Sequence, residues 1–332
     1  MDTSHTGRPD STDPTLTLVT GGAGYVGSVL VRRLVDAGRT VRVLDSFLHG
    51  ATPGTIPADG VELVRGDVRD PEARAAALAG VENVVHLAAI VGDPACTREP
   101  EEARTVNLDA TRALVREAAE AGAERFLFAS TCSNYGRLDG DHVATEDWEL
   151  KPVSLYSETK VAAELDVLGC SENGFATTCL RLATVYGASP RMRFDLTVNE
   201  FTRDVVLGRP LVVYGEQFWR PYVHVADAAD AIGLALDAPV EHVRAEVFNV
   251  GDTDENYRKL DLVEILQTRV PEADVSFVHR DEDPRDYRVN FDKIAERLGF
   301  GVERRVPDGI DEVAGLLAEG AFADPYSPVY RN

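Results

Sequence analysis

Residues 16–27 read "LTLVTGGAGYVG". The first five are apolar or β-branched and suit a strand buried on both faces. The stretch that follows, "YVGSVLVRRLVDAG", repeats its apolar residues at helical spacing and closes on Gly38. Between strand and helix stand Gly21, Gly22, Gly24 and Gly27, a G-x-G-x-x-G counted from Gly22 and a G-x-x-G-x-x-G counted from Gly21. Glycine is needed where a backbone turns tightly and approaches a pyrophosphate with no side chain between. The free N–H groups at the helix start, where Tyr25 and Val26 stand, then face the phosphates. A glycine trio by itself is equally well a turn. Here it follows a strand, opens a helix, and precedes an acid at the end of the second strand, "TVRVLD", by about 20 residues. That acid is Asp45. A carboxylate there accepts hydrogen bonds from both ribose hydroxyls and repels a 2′-phosphate, so the cofactor expected is NAD, not NADP. Asp67 and Val68, in "RGDVRD", are expected beside the adenine, although alone that stretch is an ordinary turn.

Outward from this turn, apolar runs and helical patterns alternate. "VELVRGDV", "VENVVHLAA" and "RFLFAST" suit strands, and "ATTCLRLATVYG" a sixth. "PEARAAALAG", "EEARTVNLDATRALVREAAEAG" and "SLYSETKVAAELDVLGC" suit the helices between them. This alternation implies parallel strands joined by right-handed crossovers. The fold class expected is α/β, a Rossmann doubly wound parallel sheet with a smaller C-terminal α/β substrate-binding domain. After Gly187 the pattern loosens into a helix, short strands and an arginine-rich loop. The division expected is a disordered tail over 1–14, an NAD-binding domain over 15–187 and about 222–252, and a substrate-binding region over about 188–221 and 253–332.

Lys plus Arg number 34 against 56 Asp plus Glu, a formal net charge of -22. Such a surface repels nucleic acid and anionic membrane, so neither is an expected partner. An anionic substrate would need a local basic pocket. Cys96, Cys132, Cys170 and Cys179 show no metal-ligand spacing, so no metal site is expected and the thiols suit a reducing cytoplasm. The first residues lack a signal-peptide pattern, and no apolar run is long enough to span a bilayer.

"YSETK" places Tyr156 and Lys160 four apart, on one face of a helix. A nearby ammonium favours the phenolate, so the pair can exchange a proton with a sugar hydroxyl during hydride transfer. Alone, YxxxK is usually a helix surface. Behind a dinucleotide turn, and after "FASTCSNYG" at the end of the fifth strand, it gains weight.

These motifs, with "HLAA", "RLATVYG", "RPYVHVAD", "VFNVG" and "DK" before "LGF", make the chain resemble the NAD-dependent nucleotide-sugar epimerase/dehydratase family of extended short-chain dehydrogenase/reductases over roughly residues 16–300. The resemblance implies that Thr131 bonds the reacting oxygen beside Tyr156 and that Lys160 also binds the nicotinamide ribose. It implies that Asn107 lies near the cofactor and that Ala88 and Ala89 line it. For a nucleotide-diphosphate sugar it implies phosphate contacts from Arg220 and Arg280, with Arg191, Arg193 and Arg288 as further candidates. Ser133, Asn134 and Thr184 are expected along the sugar pocket. The resemblance also implies that the long helices at 101–122 and 154–169 pair into a four-helix bundle, making a homodimer.

The two residues after Thr131 separate the reactions. Related 4,6-dehydratases carry Asp-Glu there, and UDP-glucuronate decarboxylases carry Glu at the second position. Here they are Cys132 and Ser133. The expectation is therefore a 4-epimerase. A ketoreductase or dehydrogenase is the alternative, and a dehydratase, decarboxylase or non-catalytic NAD sensor fits less well.

Overall fold

In apolar strands buried on both faces, adjacent side chains point to opposite sides, and each side needs its own cover of helices. The computed structural model describes residues 15–50, 54–138, 140–280 and 285–332, so the expected tail over 1–14 lies outside the described residues. Its strands are β1 (Leu16–Thr20), β2 (Thr40–Asp45), β3 (Val61–Arg65), β4 (Asn83–His86), β5 (Arg125–Thr131), β6 (Ala176–Leu182), β7 (Thr184–Tyr186), β8 (Leu211–Tyr214), β9 (Trp219–His224), β10 (Glu246–Val250), β11 (Asn256–Arg258) and β12 (Val275–Val278). Seven form one sheet in the order β10-β6-β5-β4-β1-β2-β3, every pair parallel. The doubly wound Rossmann sheet is thus as expected. Val19, Val43, Val85 and Leu127 face the helices Tyr25–Asp36 and Val225–Asp237. Their neighbours Leu18, Leu44, Val84 and Phe126 face the helices Thr111–Glu120 and Leu155–Gly169. Strand order reverses between β1 and β4, and in such sheets ligands bind at the carboxyl ends of the strands at that point.

Two elements differ from the sequence reading. "ATTCLRLATVYG" is not one strand: it breaks at Ala183, and β7 leaves the main sheet to pair with β9, which also pairs with β11. The break follows from packing. Tyr186 is drawn into a second core with Phe201, Leu211, Val213, Tyr222, Leu262 and Ile310, the core of the smaller lobe. The three-stranded sheet therefore takes residues from both sides of the expected domain division. The helix expected over 101–122 contains a π turn at Thr105–Ala110. The extra residue in that turn leaves Asn107 buried. No described helix is long and apolar enough to cross a membrane.

Candidate active site

The glycine turn is built to backbone contact. Gly21 has φ +72°, and a Cβ there would stand 2.8 Å from the Ala88 nitrogen. A Cβ on Gly27 would stand 2.2 Å from the Gly21 carbonyl oxygen. Turn, helix start and the loop after β4 consequently enclose a cradle that side chains would fill. The Asp45 carboxylate closes its far side: Oδ2 accepts from the Ala23 N–H at 2.9 Å and Oδ1 from the Phe47 N–H at 2.7 Å. Each oxygen keeps a lone pair for a further donor. Asp67 and Val68 line the same cavity, and hydrogen bonds from Arg69 hold the Asp67 carboxyl below its usual range. These residues fit a dinucleotide with unesterified ribose hydroxyls.

The cavity encloses about 660 Å³ and is also lined by Gly21, Gly24, Tyr25, Val26, Gly27, Ala88, Ala89, Thr131, Ser133, Tyr156, Lys160, Thr184, Arg191, Arg193 and Arg220. Asn107 does not line it. Instead Asn107 grips Ile90 of the loop after β4, accepting its N–H at 2.7 Å and donating to its carbonyl at 2.9 Å. His86 braces that loop from below. Thr111 Oγ1 donates to the Asn107 carbonyl and so accepts from His86 Nε2, leaving Nδ1 to accept from Thr20. Burial pushes the imidazole down to about 3, in keeping with a neutral ring.

At the other end, Thr131 and Tyr156 line the cavity together, and Thr131 Oγ1 accepts the Ser133 N–H at 3.1 Å. The helix carrying Tyr156 starts at Ser154, whose hydroxyl accepts the Ser157 N–H. One turn on, Lys160 Nζ donates to the Ala129 carbonyl at 2.8 Å and stands 4.6 Å above the Phe128 ring. Burial pulls Lys160 down to about 8. Tyr156 departs from the sequence expectation. Burial raises its pKa, Cys96 and Asp93 add to the rise, and Arg193 and Thr131 only partly offset it. Desolvation of the phenolate outweighs the neighbouring cations.

The sequence model of the NAD dependent epimerase/dehydratase family matches residues 17–251. The chain belongs to that family. It is 30% identical to a UDP-glucose 4-epimerase of Corynebacterium glutamicum over 304 residues, 86% of this chain and 90% of the relative. It is 29% identical to UDP-glucuronic acid decarboxylase 2 of Arabidopsis thaliana over 320 residues, 92% of this chain and 69% of the relative. The crystal structure of the Thermus thermophilus UDP-glucose 4-epimerase in complex with NAD superposes with a TM-score of 0.80 at 28% identity, covering 93% of this chain and all of that one. The protein is thus an enzyme of the extended short-chain dehydrogenase/reductase type, in an NAD-dependent family.

Within this family member, several placements could not be read beforehand. Cys132 is turned away from the cavity into the core, where its thiol donates to the Arg181 carbonyl at 3.1 Å and burial raises its pKa. Asn134 is buried too and donates to Ser130 Oγ, so it does not line the sugar pocket. Arg280 stands outside the cavity, 5.3 Å above the Tyr214 ring, and Arg288 stacks on Trp219 and pairs with Asp141. Their places at the cavity wall are taken by Arg285 and Tyr287. Ser133 Oγ and the Tyr287 hydroxyl lie 3.2 Å apart, and Arg220 stacks on the Tyr287 ring. Asp93, the first residue of the short helix Asp93–Arg98, accepts from Ser154 Oγ at 2.7 Å and pairs with Arg285. The only sequence signal was the two-residue spacing of Arg285 and Tyr287, which puts them on one face of an extended segment. Away from the cavity, Asp227, Asp230 and Glu303 converge, but Arg304 pairs with Asp227 and Glu303, and Arg33 with Asp230.

Proposed function

We propose that this chain is an NAD-dependent 4-epimerase of nucleotide-diphosphate sugars. One observation carries the reading: Thr131 and Tyr156 line the same cavity, and neither position after Thr131 holds a carboxylate. Cys132 faces the core and Ser133 faces Tyr287. Dehydration would need an additional acid and base there, and the resembled decarboxylases carry Glu at the position of Ser133. The remaining groups support reversible hydride and proton transfer at a sugar carbon. The names of the relatives favour a uridine diphosphate sugar.

In this reading Gly21, Gly24, Tyr25, Val26, Gly27, Asp45, Asp67, Val68, Ala88 and Ala89 hold NAD, and Asn107 fixes the loop that abuts it. NAD, when bound, supplies the acceptor and later the donor of a hydride. With the positive charge of bound NAD added to that of Lys160 to offset burial and favour the phenolate, Tyr156 Oη would take the proton of the sugar 4-hydroxyl and return a proton to the oxygen after the keto sugar has turned over. Thr131 Oγ1 holds that oxygen through both halves. Lys160 supplies positive charge below the site and, as the resemblance implies, binds the nicotinamide ribose. Ser133, Thr184 and Arg220 face the substrate. The protein acts as a homodimer through the faces of the Thr111–Glu120 and Leu155–Gly169 helices, a reading supported by Leu165, which is 65% exposed on the second of them.

Incubation of the purified protein with a panel of UDP-hexoses and UDP-hexuronates tests the reading. The expected result is a 4-epimer formed without added cofactor, resolved by NMR of the sugar carbons. A product that forms only with stoichiometric NAD or NADH makes the protein a dehydrogenase or ketoreductase instead.

A further inference from the structure

Resting on the reading of an NAD site, we propose that Arg191 serves the diphosphate of the dinucleotide cofactor and not that of the substrate, and that residues 322–332 form a strap holding it in place.

Arg191 is 5% exposed and lines the cavity. Among the described residues it makes one side-chain hydrogen bond, from Nη2 to the Arg331 carbonyl at 2.9 Å, and no carboxylate pairs with it. Its neighbours differ. Arg193 is engaged on both oxygens of Asp195, at 2.9 and 2.7 Å, and Arg220 donates to the Trp219 carbonyl and stacks on Tyr287. A buried cation without a counter-charge is costly, so an anion is the partner this site lacks. The guanidinium fork matches two oxygens of a phosphate group. Burial, with the repulsion of Arg193 added, pulls Arg191 down to about 10, although Asp195 and Asp45 act against the shift.

Which diphosphate it meets is decided by where its backbone is tied. Ser189 Oγ accepts the Arg191 N–H at 3.3 Å and donates to the Tyr25 carbonyl at 2.7 Å. The Tyr25 hydroxyl donates to the Gly187 carbonyl at 2.7 Å. Asn199 Nδ2 donates to the Tyr25 hydroxyl at 3.2 Å and to the Arg193 carbonyl at 2.9 Å. Residues 187–193 are therefore fastened to the first residue of the helix whose N terminus forms the phosphate cradle. Arg220, by contrast, belongs to the wall shared with Tyr287 and Ser133.

The strap grips the same segment. Phe322 and Tyr330 meet the Phe194 ring edge-on at 5.0 and 5.6 Å, and the Tyr330 carbonyl accepts the Phe194 N–H. The Tyr326 hydroxyl donates to Asp204, and Arg203 lies 4.3 Å above its ring. Asn332 N–H donates to Asp195, and both Arg331 and Asn332 line the cavity. Release of the dinucleotide then requires the strap to loosen, which suits an enzyme that keeps its cofactor between turnovers.

Calorimetric titration of cofactor-stripped protein with ADP-ribose and, separately, with UDP tests the assignment. R191Q keeps a donor for the Arg331 carbonyl and removes the charge. It should weaken ADP-ribose about tenfold or more, as expected for loss of a charge-assisted hydrogen bond, and leave UDP within about twofold. R191K should bind ADP-ribose more tightly than R191Q. A chain ending at Ala321 should lose its retained NAD faster on gel filtration. Weakened UDP with unchanged ADP-ribose would return Arg191 to the substrate. No change in either ligand, equal losses in R191Q and R191K, or unaltered NAD retention in the shortened chain would each overturn the proposal. Parent protein that binds UDP but neither ADP-ribose nor NAD would overturn the NAD reading beneath it as well.

Discussion

Lys160 shows how the site trades stability for charge. The residue is 3% exposed, with one carbonyl and one ring face as the described partners of its ammonium, and burial pulls its pKa down to about 8 from an ordinary 10.5. Below pH 8 the folded chain holds a proton that it disfavours, at a cost of about 3 kcal/mol from roughly 1.4 kcal/mol per pKa unit. Between pH 8 and 10.5 the unfolded chain binds more protons than the folded one, so stability rises with pH there. Lys160→Met should therefore lose turnover yet melt higher than the parent at pH 7 in cofactor-free form, and the gap should shrink as pH approaches 10.5. Thermal melts across that range check this; a variant that melts lower at pH 7 would mean that the ammonium is not a net burden. That Thr131, Tyr156 and Lys160 would line one cavity was legible in the sequence because each lies in a local motif. Arg191 was legible only as a candidate for the substrate phosphates, because no local pattern tells which wall a loop will cover; the bond between Ser189 and Tyr25, 164 residues apart, ties its segment to the cofactor turn.

The helix Leu155–Gly169 is positioned from beneath by a buried pair. Glu164 accepts from Arg181 of β6 and from Ser130 Oγ at 2.7 Å, directly before Thr131. Arg181 continues to the Tyr135 hydroxyl at 2.8 Å, which donates to Asn249 of β10. The network ties together three strand ends and the helix that bears Tyr156. Glu164→Ala leaves a guanidinium buried without its partner and should cost about 3–5 kcal/mol. Replacing both residues, Glu164→Leu with Arg181→Met, should cost less than that single change. Urea unfolding monitored by circular dichroism decides, and a double variant weaker than Glu164→Ala would show that the pair contributes net stability. Element order was legible because strand and helix periods alternate cleanly through β6. The break at Ala183 and the π turn around Asn107 were not, since both answer to packing partners far along the chain.

At the scale of the whole molecule, the cavity lies where the sheet reverses its order and is completed by residues from both lobes. Asp93 and Arg285, 192 positions apart, meet across it at 3.2 Å, a contact no pattern within either segment specifies. The general charge was readable and the local one only in part: a chain of net charge -22 gathers Lys160, Arg191, Arg193, Arg220 and Arg285 around one cavity. The exposed Leu165 face carries a prediction at this scale. Light scattering should give a dimer for the parent and a monomer for Leu165→Glu; a parent that is monomeric at micromolar concentration would exclude the helix-face interface.

The central claim is that a hydride leaves the sugar's C4 and returns to it within one closed site. Incubation of the protein with the UDP-sugar that the panel identifies as its substrate, deuterated at C4 and with no cofactor added, tests this directly. The expected product is the 4-epimer with the deuterium retained at C4 and none exchanged into water. Loss of the label to solvent during epimerisation would contradict it.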